Sequence, residues 1–119
     1  MREVFIVSAA RTPFGKFGGQ LKDLTAVDLG TRAVKASLER IPLDPALVDE
    51  LYMGVAVLAG TASVAARQIL IASGLPPHTP SLTVDRACCS SMTCLGLGMR
   101  NIFGGEVRNF SRLCQRTTD

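Results

Sequence analysis

The chain has 119 residues, of which 47% are hydrophobic and 19% are charged, and this balance predicts a globular domain that can bury an apolar core. The formal net charge is only +3, and the basic residues do not gather into a stripe with aromatic neighbours, which argues against a nucleic-acid partner. No apolar run approaches the roughly 20 residues of a membrane span, and the first residues do not resemble a signal peptide, so we expect a soluble, cytoplasmic protein that does not contact a membrane.

The first part of the chain predicts a strand, an ordered loop and a helix. Residues 3–9 are rich in β-branched and aromatic side chains, which favours a strand, and residues 10–19 have the glycine and proline content of a loop. The glycines of this loop do not make a nucleotide-binding pattern. Thr25 and Asp28 have the spacing of a capping box, and apolar residues then recur at helical spacing, so a helix is predicted over residues 25–40.

The middle of the chain alternates strands with helices. Residues 51–58 predict a second strand, residues 62–73 a helix, and residues 81–84 a third strand. After a short turn, apolar side chains recur at helical spacing from Cys88 onward, which predicts another helix that begins at this cysteine. Strands that alternate with helices predict an α/β fold in which helices cover a parallel sheet.

The last thirteen residues differ from the rest of the chain. A further strand is expected after the cysteine helix, yet residues 107–119 are polar, rich in arginine and without alternation, so we interpret them as an atypical polar tail. A parallel sheet that stops after three strands also leaves an unpaired edge. We therefore divide the chain into a partial domain, residues 1–106, which is incomplete at its C-terminus, and a tail, residues 107–119.

Cys88 is the residue best placed to act as a catalytic group. The start of a helix offers unpaired backbone N–H groups and about half a positive charge, which favour a thiolate and can bind an oxyanion. The alternative for Cys88 is a structural role as a small, buried apolar side chain. We favour this packing role for its neighbour Cys89 and for Cys94. Asp85 is expected to be a turn residue.

Neither a disulfide nor a metal site is expected. Six residues of helix would separate the Cα atoms of Cys88 and Cys94 by about 9 Å, which is beyond the reach of a disulfide. The remaining cysteine, Cys114, lies in the tail. The chain has one histidine, His78, and no Cys-x-x-Cys spacing, which argues against metal binding.

Four separated motifs recur at intervals that are typical of one enzyme family. They are residues 7–19, residues 48–54, residues 66–68 with 74–76, and residues 83–84 leading into the cysteine segment. Together they cover residues 1–106 and resemble the N-terminal part of a thiolase. By that resemblance, Cys88 is the nucleophile that accepts an acyl group from an acyl-CoA, before a Claisen condensation or, in reverse, a thiolysis. The resemblance implies a coenzyme A thioester as substrate, no further cofactor, a place in lipid metabolism and a homo-oligomer.

Two departures from the usual thiolase pattern lie beside Cys88. The chain has Cys89, Ser90 and Ser91 where the family usually has a small residue, serine and glycine, and it has Asp85 where asparagine is common. The resulting Asp-x-Ala-Cys-x-Ser-Ser pattern resembles the β-ketoacyl synthases, a related branch of condensing enzymes, which is one alternative. Another is a truncated, non-catalytic product that persists only with a complementary C-terminal half.

The resemblance also implies that part of the catalytic machinery lies outside these residues. Thiolases take a histidine and a second cysteine, used as bases, from a C-terminal half, and His78 does not match that histidine. Because such bases typically supply roughly 10²–10⁴-fold each, we expect this chain by itself to be inactive. The sequence does not identify residues that bind coenzyme A.

Overall fold

A computed structural model describes residues 3–61 and 64–106 with their side chains, and residues 110–115 by their backbone. In chain order, the elements are helix α1 (Ala26–Glu39), a short 3₁₀ helix (Pro45–Leu47), strand β1 (Glu50–Val55), helix α2 (Ala65–Ala72), strand β2 (Ser81–Val84), helix α3 (Ser90–Gly104) and strand β3 (Phe110–Gln115). The three strands form a parallel sheet in the order β2-β1-β3. The predicted α/β fold with a parallel sheet and covering helices is therefore confirmed.

β1 is the centre of both the sheet and the core. Leu51, Met53 and Val55 are buried in one cluster with apolar side chains of α1 and α2. The two residues between them, Tyr52 and Gly54, are also buried and face α3. Helices thus cover both faces of β1, which explains why its sequence is a continuous buried run rather than an alternating one.

α1 begins as the sequence predicts. Thr25 is the N-cap residue: its hydroxyl accepts a hydrogen bond from the N–H of Asp28 at 3.1 Å, and the Asp28 carboxylate accepts one from the N–H of Thr25 at 2.8 Å. This capping box satisfies two of the N–H groups that the start of a helix leaves open. The hydrogen bonds from the hydroxyl and then from the N–H of Thr25 lower the pKa of Asp28.

α2 begins differently, because its cap comes from another element. The N-cap residue, Val64, makes no side-chain hydrogen bond to the helix. Instead, the Thr83 hydroxyl on β2 accepts a hydrogen bond from the N–H of Ala66 at 3.0 Å. Two of the segments on which the family resemblance rests therefore meet in space, and this contact fixes the start of α2 against the sheet.

Residues 3–9 do not form the strand that their composition predicts. The three large apolar side chains in the middle of this segment are between 69% and 73% exposed. The segment lies instead against the end of α1, where the Ser8 hydroxyl donates to the Ser37 carbonyl at 2.8 Å and the Arg40 guanidinium donates to the Ala9 carbonyl. The prediction is wrong because strand propensity describes a fit to a neighbouring strand, and this segment packs against the end of α1 instead.

A strand that the sequence pattern does not predict, β3, occupies one of these edges. It pairs in parallel with β1, with Glu50 opposite Phe110 and Val55 opposite Gln115. The interpretation as a tail without a strand is therefore wrong for residues 110–115, because backbone groups can pair in a ladder whatever the polarity of the side chains. The other tail residues lie outside the described part of the chain, and the division of the chain at residue 106 stays a prediction.

The side of β1 that faces α3 carries a polar cluster at the start of the strand. The Tyr52 hydroxyl donates to the Glu50 carboxylate at 2.6 Å. The side-chain amide of Asn101 donates to the same carboxylate oxygen at 3.1 Å and to the Tyr52 hydroxyl at 2.6 Å. Burial above all, and then the hydrogen bond to Glu50, raise the pKa of Tyr52 to about 12. The cluster joins the start of β1 to the last turns of α3.

We predict that the fold loses stability at high pH through Tyr52. The pKa of this phenol is about 10 in the unfolded chain and about 12 in the folded one, so its contribution is complete below pH 10 and is lost as the pH rises towards 12. Urea unfolding should show this loss in the unaltered chain and not in Tyr52→Phe. Since Tyr52 is the only tyrosine, phenolate absorbance reports its titration, and a folded-state midpoint near pH 10 would contradict the prediction.

Candidate active site

The candidate site is the turn that joins β2 to α3. β2 ends at Val84, and α3 begins at Ser90 with Cys89 as its N-cap residue. The helix therefore starts two residues later than predicted, and Cys88 lies in the turn, one residue before the N-cap. Cys88 and Cys89 are exposed, whereas Cys94 is buried. A buried packing role is therefore wrong for the first two and confirmed for the third.

The backbone of the turn adopts an unusual conformation at Ala87. Its φ of 48° lies in the left-handed region, which costs an alanine about 1–2 kcal/mol. The Asp85 carboxylate accepts a hydrogen bond from the N–H of Ala87 at 3.0 Å, as turn-forming aspartates do. The prediction that Asp85 is a turn residue is confirmed. The left-handed residue lies directly before Cys88, and the helix begins only after the turn has closed, at Ser90.

The buried side chain of Ser90 holds this turn through hydrogen bonds. It is the first residue of α3 and is only 2% exposed. Its hydroxyl oxygen accepts a hydrogen bond from the N–H of Arg86 at 2.8 Å and donates to the Ala87 carbonyl at 2.7 Å, while the Val55 carbonyl lies 3.4 Å away. The sequence interpretation gave Ser90 no role, and its only signal was a small polar residue two positions after the candidate nucleophile.

Gly54 lets the start of α3 rest directly on β1. A Cβ atom built on Gly54 would lie 2.8 Å from the carbonyl carbon of Ser90 and 2.8 Å from the nitrogen of Ser91. Only a residue without a side chain permits this approach. The turn is consequently held at the edge of the sheet where the parallel strands have their carboxyl ends, which is where ligands bind in open α/β sheets.

The arrangement suits a thiol that reacts with a carbonyl compound. Cys88 is exposed beside the start of a fifteen-residue helix, and its N-cap residue supplies no side-chain hydrogen bond to the first turn. The open N–H groups and partial positive charge at a helix start stabilise a nearby anion, which can be a thiolate or the oxygen of a tetrahedral intermediate.

The histidine of this chain lies apart from the candidate nucleophile. His78 is exposed in the loop before β2, at the opposite end of that strand from Cys88. Within residues 3–61 and 64–106, His, Cys, Asp and Glu side chains form no group of three or more that could hold a metal ion. None of the helices in the described part of the chain has the length and apolar character needed to cross a membrane.

Comparison with known proteins decides the family. The family described as "Thiolase, N-terminal domain" matches residues 4–110. This chain belongs to the thiolase family. An acetyl-CoA acetyltransferase of Schizosaccharomyces pombe is 44% identical over 105 residues, which are 88% of this chain and 27% of that protein. A beta-ketoadipyl-CoA thiolase of Pseudomonas knackmussii is 44% identical over 108 residues, which are 89% of this chain and 27% of that protein.

A solved thiolase has the same fold. The crystal structure of a thiolase from Ascaris suum in complex with coenzyme A matches 90% of this chain with a TM-score of 0.87 and 36% identity, and the match covers 28% of that protein. The chain spans about a quarter of the length of the curated relatives it matches, and it corresponds to the N-terminal portion of a thiolase. The resemblance found in the sequence is confirmed, and these relatives favour a thiolase over the β-ketoacyl synthase alternative.

We predict that Gly54→Ala destabilises the fold by about 1–3 kcal/mol, because the new methyl group meets backbone atoms that cannot move aside. Gly96→Ala in the middle of α3 is the matched control, since a Cβ there meets nothing within 4 Å. The control should leave the free energy of unfolding unchanged or raise it by up to about 1 kcal/mol. Urea unfolding measures both variants, and equal stabilities would argue against the close approach of α3 to β1.

Proposed function

We propose that the thiolase to which this chain belongs transfers acyl groups between coenzyme A thioesters, and that Cys88 is the residue that becomes acylated. The observation that carries the proposal is the exposed position of Cys88 beside the start of α3, at the carboxyl edge of the sheet. The names of the relatives, acetyl-CoA acetyltransferase and beta-ketoadipyl-CoA thiolase, support this reaction type. The coenzyme A bound to the Ascaris suum thiolase supports a coenzyme A thioester as the substrate.

The first step follows from the chemistry of the turn. The thiolate of Cys88 attacks the carbonyl carbon of the thioester, and the carbonyl oxygen takes up the negative charge of the tetrahedral intermediate. The N–H groups at the start of α3 stabilise this oxyanion. When the intermediate collapses, the bond from the carbonyl carbon to the coenzyme A sulfur breaks, the departing thiolate takes up a proton, and the acyl group stays on Cys88 as a thioester.

The second step needs partners that the turn does not supply. In the synthetic direction, a carbon nucleophile from a second acetyl-CoA attacks the acyl group, and Cys88 leaves as its thiolate. In the reverse direction, the thiolate of Cys88 attacks the 3-keto carbon of a 3-ketoacyl-CoA, and the bond between C2 and C3 breaks to release acetyl-CoA once its carbanion takes up a proton. The thiol of coenzyme A then takes the acyl group from Cys88. Because His78 lies at the far end of β2, we propose that a C-terminal portion provides the histidine and the second cysteine that act as bases. The chemistry then needs no cofactor besides the substrate, and this chain alone has little or no turnover.

Location and assembly are part of the same proposal. We place the enzyme in lipid metabolism and in the cytoplasm. A similar protein of Gibberella zeae is named as cytosolic, whereas one of Danio rerio is named as mitochondrial. Cell fractionation decides between these two locations. We also propose a homo-oligomer, since β2 and β3 each form an edge of the described sheet and edge strands readily pair. A single monomeric species in sedimentation would contradict this assembly.

We predict that incubation with acetyl-CoA adds one acetyl group to Cys88, because acylation of a reactive thiol precedes the steps that need the histidine and the second cysteine. Intact-mass measurement detects the adduct, and peptide fragmentation locates it. Cys88→Ala should lose the adduct, while Cys89→Ser, the control at the neighbouring exposed thiol, should keep it.

Circular dichroism establishes that each of these chains is folded. An adduct that persists in Cys88→Ala, or a folded unaltered chain that takes up no acetyl group, would contradict the assignment of Cys88 as the acylated residue.

A further inference from the structure

We propose that Ser90 is a positioning residue, whose buried hydroxyl holds the turn in the one conformation that keeps the Cys88 thiol at the start of α3. This inference rests on the proposed function of Cys88 as the acylated residue. Ser90 does not itself meet the substrate in this proposal. It acts through the backbone of Arg86 and Ala87, which it binds.

The hydrogen bonds of Ser90 enclose two residues of the turn, Arg86 and Ala87. Its hydroxyl accepts from the N–H of Arg86 at 2.8 Å, before Ala87, and donates to the Ala87 carbonyl at 2.7 Å, after it. The rotatable backbone bonds of Arg86 and of Ala87 all lie between these two groups. The hydroxyl therefore restrains the φ and ψ of Ala87 together with those of Arg86, and these angles set the direction in which the chain continues to Cys88.

The conformation that is fixed in this way is one that alanine rarely adopts. The φ of Ala87 is 48°, in the left-handed region, so the turn needs a restraint to stay there. One restraint is the Asp85 carboxylate, which is exposed to water. Two backbone hydrogen bonds also close the turn, from the N–H of Cys89 to the Arg86 carbonyl at 3.1 Å and from the N–H of Ser90 to the Ala87 carbonyl at 3.2 Å. The Ser90 side chain adds a buried restraint, since it is 2% exposed and its hydroxyl also lies 3.4 Å from the Val55 carbonyl at the end of β1. Ser90 thus connects the turn to the sheet through a buried group.

The removal of this hydroxyl should act locally. Ser90→Ala keeps the Cβ atom and the helix, but it releases the N–H of Arg86 and leaves the Ala87 carbonyl with the backbone N–H of residue 90 alone, at 3.2 Å. Ala87 can then relax towards an ordinary conformation, which carries Cys88 away from the N–H groups of α3. A thiol that leaves a helix start loses the stabilisation of its thiolate, and its nucleophilic reactivity falls.

Three thiols on this one segment allow the proposal to be tested against a merely structural role. Cys88 reports the turn, Cys89 reports the exposed N-cap, and Cys94, which is 0% exposed, reports the integrity of α3. The rate of alkylation by iodoacetamide is measured at each cysteine by peptide mass spectrometry over a range of pH. Acetylation by acetyl-CoA is measured in the same chains.

In Ser90→Ala, we expect alkylation and acetylation of Cys88 to slow roughly tenfold, as the loss of buried hydrogen bonds implies. Alkylation of Cys89 should change less than about twofold on the same reasoning, and Cys94 should stay protected. Ser90→Thr, which keeps a hydroxyl, should restore the reactivity of Cys88. If Ser90→Ala does not fold, Ser90→Cys replaces it, since a thiol fills the space but hydrogen-bonds only weakly.

Either of two alkylation results would overturn the positioning role: an unchanged rate at Cys88, or a parallel rise at all three cysteines, which would mean that Ser90 only supports the fold. The outcome for the proposed function is separate. If the unaltered chain is not acetylated but Ser90→Ala still slows alkylation of Cys88 alone, the positioning role stands without the acyl transfer. If both chains are acetylated at the same rate, the acyl transfer stands and the positioning role is overturned.

Discussion

The position of Cys88 depends on the contact between the end of β1 and the first residues of α3. Gly54 has no side chain, so the backbone of Ser90 rests directly against it, and the Ser90 hydroxyl reaches back towards the carbonyl of Val55. Because α3 is fixed at its first residue, the chain that leaves β2 has only a few residues in which to reach it. That short connection passes through the left-handed conformation of Ala87, and the Ser90 hydroxyl helps to hold it there.

The same helix is also fixed at its other end. Asn101, near the end of α3, donates to the Glu50 carboxylate and to the Tyr52 hydroxyl at the start of β1. α3 therefore runs antiparallel to β1, with one attachment at each end of the strand, and it cannot slide along the sheet without breaking one of them. A helix held in this way keeps its positive end at the carboxyl edge of the sheet, where Cys88 follows β2. The polar cluster at the other end of β1 thus helps to hold α3 in the position that the site requires.

The sequence predicts those parts of the fold that local signals determine. The capping box of Thr25 and Asp28 marks the start of α1, and the bounds predicted for β2 agree with the structure, because caps and short apolar runs act over a few residues. Residues 3–9 and 110–115 are misjudged because a strand forms only where a distant segment pairs with it, and β1 pairs with residues 110–115 and not with residues 3–9. At the site, the type of residue points to Cys88, but the conformation of Ala87 and the burial of Ser90 have no local signature.

The structure also explains why departures from the thiolase pattern leave this turn intact. Asp85 stands where asparagine is common, yet either side chain offers an oxygen to the N–H of Ala87. Ser91 stands where glycine is usual, but the space that lets α3 approach the sheet closely comes from Gly54 on β1. Cys89 is exposed and contributes no side-chain cap, so a small residue there suffices. The substitutions that suggest a β-ketoacyl synthase therefore fall on side chains that do not determine the path of the backbone to Cys88.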